Sequence, residues 1–381
     1  MLIQPSKPRT ENLPYTTQRL WNDSGTFTPS LGCTNCPDKA ICGGLAVASD
    51  LYDCLHFCCG SPSGCDAVCR NKPEEFAQRV REVGGFSLEN VPRAELLAFP
   101  ELPTLVPVVF HGNKRTLTFA GPDVICLPMS KVVEARAAVV RFKSPQHLRD
   151  TFGLGPNARV ILTGTSTDSS LERWWSFGNN RADAIQALKM LGITLVTTPN
   201  YSLFTDQPRW DDLHSMKRIA LVHQEFLSAG MPAALHVNAR TERDWDRWGE
   251  FIASRPEITH VAFEFATGAG WAGRIQWHAE QLTKLRMAVG RPLNLVVRGG
   301  ITIMPRLFAV FEKVTCLETS IFLKTMRRKA AVLRADGAVR WKHAPTAQDE
   351  TLDALLNHNW TVVLESYRRV GLALSSRRKA A

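Results

Sequence analysis

Eight of the ten cysteines in this chain fall between Cys33 and Cys69, spaced C-x2-C-x5-C-x11-C-x3-C-C-x5-C-x3-C. They are Cys33, Cys36, Cys42, Cys54, Cys58, Cys59, Cys65 and Cys69, with His56 among them. Thiolates at this density crosslink or bind metal. Met1–Tyr15 holds no apolar stretch of signal-peptide length, so a cytoplasmic, reducing setting is expected. Structural disulfides are rare there. Metal is therefore expected ahead of disulfides and of free redox thiols. Zinc favours short paired knuckles, and Cys33-x2-Cys36 is the one C-x2-C pair. The x3 and x5 gaps and the vicinal Cys58–Cys59 pair suit a loop wound around an iron–sulfur cluster. An iron–sulfur cluster is the preferred expectation, a 4Fe-4S type included, and zinc the alternative. The radical-enzyme pattern C-x3-C-x2-C begins at Cys54 and again at Cys65, but Ser61 and Lys72 stand where its last cysteine belongs. Standard radical chemistry is thus unsupported.

A second set of residues could do acid–base or anion chemistry. Glu264 and Glu318 are carboxylates inside otherwise apolar runs, where an unpaired charge is costly. Such a setting can shift a carboxyl into general acid–base use. His236 alternates with Leu235 and Val237 and so points away from them. Asn238 and Arg240 follow it. Arg298-Gly299-Gly300 reads as a turn whose backbone amides approach an anion. The bland readings are an ion pair of Glu264 or Glu318 with Arg298 or Arg240, a satisfied core histidine, and a tight turn that needs glycine anyway.

Positioning these groups requires an ordered scaffold, and 381 residues with 44% hydrophobic content can bury a full core. Short apolar runs at Val106–Phe110, Val124–Leu127, Val160–Thr163, Thr194–Thr197, Ala234–Val237, His260–Phe265, Leu293–Val297 and Val314–Glu318 predict strands covered on both faces. Helical periodicity at Ala182–Leu191, Trp210–Ser228, Glu242–Ser254, Gly273–Val289 and Met304–Glu312 separates the later ones. Alternating strands and helices predict an α/β fold. The strand count favours a (β/α)8-type barrel, irregular at its first connection, which lacks a helical pattern. A doubly wound sheet is the runner-up. The expected organisation is a Cys-rich module over 1–72, a linker over 73–105, a barrel over 106–345, and a C-terminal helix with a basic tail over 346–381. In a barrel the site belongs at the carboxyl ends of the strands, where Glu264, His236, Asn238 and Glu318 become candidate catalytic residues. Arg298, Gly299, Gly300, Asn200, Asp206 and Arg240 become candidate substrate or phosphate contacts.

Charge extends this reading. The net charge is +10, and Lys324, Arg327 and Arg328 cluster just past the eighth strand as further phosphate contacts. A basic surface attracts polyanions, and several tryptophans near the strand ends could stack on bases if exposed. Nucleic acid is thus an expected partner; a membrane is not, because no apolar run has the length of a span.

Two local resemblances add context. Cys33-Thr-Asn-Cys36-Pro-Asp-Lys-Ala-Ile-Cys42-Gly-Gly resembles the auxiliary iron–sulfur segment of some radical-enzyme maturases. Thr198-Pro-Asn-Tyr-Ser-Leu-Phe-Thr-Asp-Gln-Pro-Arg209, Met216-Lys-Arg218 and Gly230-Met-Pro-Ala-Ala-Leu-His236-Val-Asn238 resemble an uncharacterised domain of phages and mobile elements. That second resemblance implies a mobile-element setting and marks Asn200, Ser202 and Asp206 as a shared site loop. Together these observations predict a metal-containing hydrolase or transferase acting on nucleic acid or another phosphate-bearing substrate. The alternatives are a nucleic-acid-binding or redox-sensing module without catalysis, and an atypical radical or redox enzyme.

Overall fold

The computed structural model describes residues 73–134, 138–203, 209–240, 242–270, 274–347 and 350–378, with a two-residue ladder pairing Thr28–Pro29 and Ala46–Val47. The cysteines from Cys33 to Cys69 and Asp206 lie outside the described residues. Eight parallel strands form one sheet: β1 (Leu105–Pro107), β2 (Val124–Pro128), β3 (Arg159–Thr163), β4 (Ile193–Thr197), β5 (Ala233–His236), β6 (His260–Glu264), β7 (Asn294–Arg298) and β8 (Val314–Glu318). From β2 to β8 each strand pairs with the next in chain order, and β8 pairs with β1. A parallel bridge between Val108 and Cys126 brings the two ends together, with the Val109 amide donating to the Cys126 carbonyl at 2.9 Å. This is the (β/α)8-type barrel expected from the strand count. No helix joins β1 to β2, as the sequence there predicts.

Alternation along the strands separates two cores. Val106, Val108, Val124, Cys126, Ile161, Leu195, Ala234, Ala262, Val296 and Leu317 point inward and fill the barrel. Phe99 and Leu102, in the segment entering β1, pack against this interior. Phe99 also stacks on His260 at the amino end of β6, with ring centroids 4.2 Å apart. The residues between them face outward and meet the helices.

The shell comprises α1 (Pro73–Val83), α2 (Pro145–Phe152), α3 (Asp168–Ser176), α4 (Arg181–Met190), α5 (Arg209–Ser228), α6 (Glu242–Ala253), α7 (Ile275–Val289), α8 (Met304–Val310), α9 (Ser320–Met326) and α10 (Asp353–Arg378). Between α9 and α10 an antiparallel hairpin, β9 (Lys329–Leu333) with β10 (Val339–His343), lies along α10.

Helix α5 is unusual, because Asp211, Asp212, His214, Ser215, Lys217, Arg218 and His223 are all buried on it. Asp212 pairs with Arg240, Arg218 with Glu172, and His223 Nε2 lies 3.0 Å from the Ala233 carbonyl, while His214 and Lys217 meet a second covering layer. Segment 73–93, which leads in from the cysteine-rich region, crosses α5 and is held there by charged groups. Glu82 accepts from His214 at 3.0 Å and from Trp175 at 2.5 Å. The Lys217 amine donates to the Ser87 carbonyl at 2.5 Å and to Asn90. Arg255 donates to the carbonyls of Val91 and Pro92, and Arg93 forms a two-bond pair with Glu257.

Candidate active site at the carboxyl end of the barrel

Parity decides which strand-end residues share the mouth. Two residues beyond the inward Ile161, Leu195, Ala234, Ala262 and Val296 stand Thr163, Thr197, His236, Glu264 and Arg298. The last inward layer is therefore polar on five successive strands, where an inert barrel carries apolar side chains. Its members are buried, apart from Arg298, whose side chain keeps 18% of its surface exposed.

Glu264 and Arg298 are register partners on β6 and β7. Glu264 Oε2 accepts from Arg298 Nε at 2.5 Å, and Oε1 accepts the Ala266 amide at 2.6 Å. Burial raises the Glu264 pKa above the ordinary carboxyl value, against the opposing pull of Arg298, the Ala266 amide and the Thr165 hydroxyl. Among the described residues the terminal nitrogens of Arg298 have no hydrogen-bond partner. His236 Nε2 lies 3.5 Å from Thr165 Oγ1, and its Nδ1 has no partner among the described residues. Burial, reinforced by the Arg298 charge, lowers the His236 pKa to about 3, so the imidazole is neutral at physiological pH.

Three more threonine hydroxyls at these strand ends are engaged by backbone amides. Thr163, Thr197 and Thr198 each accept a backbone amide, from Thr165 at 3.3 Å, Gly164 at 3.0 Å and His236 at 2.8 Å respectively. Each hydroxyl proton remains free to point elsewhere. The mouth thus offers one carboxyl, one neutral imidazole, one guanidinium and the Thr165 hydroxyl. That combination can move a proton at Glu264 or His236 and hold an anion at Arg298.

Glycine permits the strands to converge here. A Cβ on Gly164 would lie 2.4 Å from the Thr198 carbonyl oxygen. Gly299 has φ +77°, and a Cβ there would meet the Ala266 nitrogen at 2.7 Å; at Gly300 it would meet the Phe265 ring at 2.9 Å. Packing against Phe265 and Ala266 thus accounts for both glycines after Arg298.

The remaining candidates occupy other places. Glu318 follows the inward Leu317 and faces outward, accepting from Tyr367 at 3.1 Å and from the Ser320 amide at 2.7 Å. Asn238 donates to the Tyr201 carbonyl at 2.9 Å, and its own carbonyl accepts from Trp248. Arg240 is buried in a pair with Asp212 at 2.8 Å. Asn200 donates its amide to the Gly164 carbonyl, while its buried Oδ1 has no partner among the described residues. Lys324, Arg327 and Arg328 lie at the end of α9 and the entrance to the hairpin. Trp174, Trp245 and Trp248 are buried in the core. Thr165 was legible only as part of the hydroxyl-rich run Thr163-Gly-Thr-Ser-Thr167 at a strand end.

Among the described residues no group of three His, Cys, Asp or Glu side chains could hold a metal ion. Cys126 and Cys316 are buried thiols whose pKa burial pushes up, the opposite of a thiolate ligand. The metal expectation rests on Cys33–Cys69. No described helix is long and apolar enough to cross a membrane.

No family model and no curated protein matches this sequence. Among solved structures, the chain is similar to a tryptophan synthase alpha chain from Legionella pneumophila, at 11% identity and a TM-score of 0.37, over 75% of this chain and 97% of that one. It is also similar to an HpcH/HpaI aldolase/citrate lyase family protein from Burkholderia cenocepacia, at 13% identity and a TM-score of 0.30, over 66% of this chain and 96% of that one. Likenesses at these scores carry no argument about chemistry, which rests on the residues above.

Proposed function

We propose that the protein is an enzyme performing proton-transfer chemistry at the carboxyl end of its barrel on an anionic, phosphate-bearing substrate of the nucleotide or nucleic-acid class. The observation that carries this reading is the buried Glu264 carboxyl, its pKa raised, beside a neutral histidine and an arginine whose terminal nitrogens have no hydrogen-bond partner among the described residues. In this reading Arg298 anchors an anionic oxygen of the substrate. Glu264 takes a proton from water or a substrate hydroxyl, and His236 donates or accepts the second hydrogen bond. The reaction class that follows is hydrolysis or group transfer. The cysteine-rich segment binds metal, an iron–sulfur cluster ahead of zinc, and metal with acid-labile sulfide in anaerobically purified protein is the readout for that part.

The test is a panel of nucleoside phosphates and short oligonucleotides, assayed for turnover and by calorimetry for binding. Glu264→Gln is expected to keep binding and lose turnover by about a hundredfold or more. Arg298→Met is expected to weaken binding itself. Turnover unchanged in Glu264→Gln sinks the proposal.

A further inference from the structure

The hairpin after α9 concentrates charge beyond anything the barrel mouth uses. Between Lys324 and Lys342 the chain has seven basic residues, Lys324, Arg327, Arg328, Lys329, Arg334, Arg340 and Lys342, against one acidic residue, Asp336. That is a net +6 out of +10 for the whole chain. Asp336 is already paired with Arg334 at 3.3 Å. Among the described residues, Lys324, Arg327, Lys329, Arg340 and Lys342 pair with no carboxylate.

Among the described residues the ribbon is held by one face. Register places Ala331 opposite Trp341, and Ala331 is buried against α10. The Ala331 amide donates to Asn359 at 2.7 Å, its carbonyl lies 2.9 Å from His358 Nε2, and the Gly337 carbonyl accepts from Ser366 at 2.6 Å. Asn359 is fully buried and also bonds Thr325 and the Lys329 carbonyl. The opposite face therefore presents Ala330, Val332, Arg340 and Lys342 outward. The two basic side chains stand across from two small apolar ones, so nothing large screens them. Arg328, at the entrance, adopts φ +50° at the end of α9, where glycine fits more easily.

We propose that this outward face is a docking surface for the phosphate backbone of a nucleic-acid duplex. A two-stranded ribbon fits the major groove of B-form DNA, and fixed cations without carboxylate partners release counterions on contact. The ribbon's only aromatic, Trp341, lies on the face toward α10, so the outward face lacks the stacking platform that single-strand binders use. It also lacks the large apolar side chains that insert into a membrane surface. Arg340 and Lys342 are not among the residues assigned to the mouth, so this proposal can fail or hold independently of the activity proposed there.

The experiment is fluorescence anisotropy of the full-length protein with a short random-sequence DNA duplex across a salt series. Arg340→Gln/Lys342→Gln is expected to weaken binding about tenfold, whatever the sequence, and to reduce the slope of log affinity against log salt by about 2. Because both side chains are exposed, thermal stability should be unchanged. The control is Lys143→Gln/Arg243→Gln, which removes two exposed cations elsewhere. An equal loss in the control, an unchanged affinity in the hairpin variant, or tighter binding to single strands or to phosphatidylserine vesicles than to the duplex overturns the proposal.

Discussion

Arg298 Nε sits 2.5 Å from Glu264 Oε2 across a β6–β7 register pair, yet the Glu264 carboxyl still titrates above its ordinary value. The guanidinium offsets only part of the cost of burying the acid. In Arg298→Met that offset disappears, and the carboxyl pKa rises further. An acid whose folded pKa lies above its unfolded one favours the fold below the unfolded value. It loses that contribution as pH rises through the folded value. The variant should therefore lie closer to wild type at about pH 5 than near neutrality, where it should be about 3 kcal/mol less stable. Urea midpoints at the two pH values measure this. Glu264→Gln/Arg298→Met should remove the pH dependence that Arg298→Met adds and leave that of the buried histidines, and an Arg298→Met variant equally destabilised at both pH values contradicts the assignment.

Gly299 separates two explanations of the Arg298-Gly299-Gly300 turn. If it serves packing, Gly299→Ala must force a Cβ against Ala266 at φ +77° and disturb Arg298 next to it. The expected cost is about 2–3 kcal/mol, from the left-handed backbone and the close contact together. Thermal melting checks this. A stability within about 0.5 kcal/mol of wild type, with phosphate-ligand binding lost, would instead give the glycine a ligand-facing role.

Buried histidines make the fold sensitive to acid. Burial lowers the pKa of His214, His236 and His278 to about 3, and of His223 and His260 to about 4. A base with a depressed folded pKa contributes its full stability above its unfolded value, about 6.5. That contribution is lost as pH falls from there toward 4 and then 3. Each histidine adds a slope of about 1.4 kcal/mol per pH unit within this window. Unfolding at about pH 5 should therefore take up close to one proton per buried histidine. Calorimetry in buffers of different ionisation enthalpy counts them. His223→Gln, which can still donate to the Ala233 carbonyl, should lower the count by one.

The strands were legible because a closed parallel barrel covers both faces, so each strand reads as a short apolar, β-branched run. Parity at the strand ends was harder to read. Glu318 follows Leu317, and a single step along a strand moves a side chain to the other face. No local feature shows which of two neighbours points inward. Arg240 resembles a free cation in sequence, but its pairing with Asp212 joins residues on separate segments. Helix α5 is dense in charge, yet its His214 and Lys217 are buried against segment 73–93, a long-range contact that helical periodicity does not encode. The β9–β10 hairpin was legible in principle. Its Asp336-Gly337 pair between two β-prone runs is a hairpin signal, but the surrounding lysines and arginines read first as a charge cluster.

The charged hold of segment 73–93 on the barrel leads to a last prediction. Arg255 is nearly buried, donates to the Val91 and Pro92 carbonyls, pairs with Glu257 and lies 4.6 Å from the centroid of the Phe251 ring. These contacts join the segment to the end of α6. Arg255→Met preserves bulk over Phe251 but leaves the two carbonyls without that donor and Glu257 with Arg93 alone. The expected loss is about 3 kcal/mol. It should be local before it is global: limited proteolysis should cut between Gly84 and Arg93 at denaturant concentrations where near-ultraviolet dichroism of the core tryptophans is unchanged. Simultaneous loss of both signals would mean that the segment is an integral part of the barrel's cooperative unit and not a separately released cover over α5.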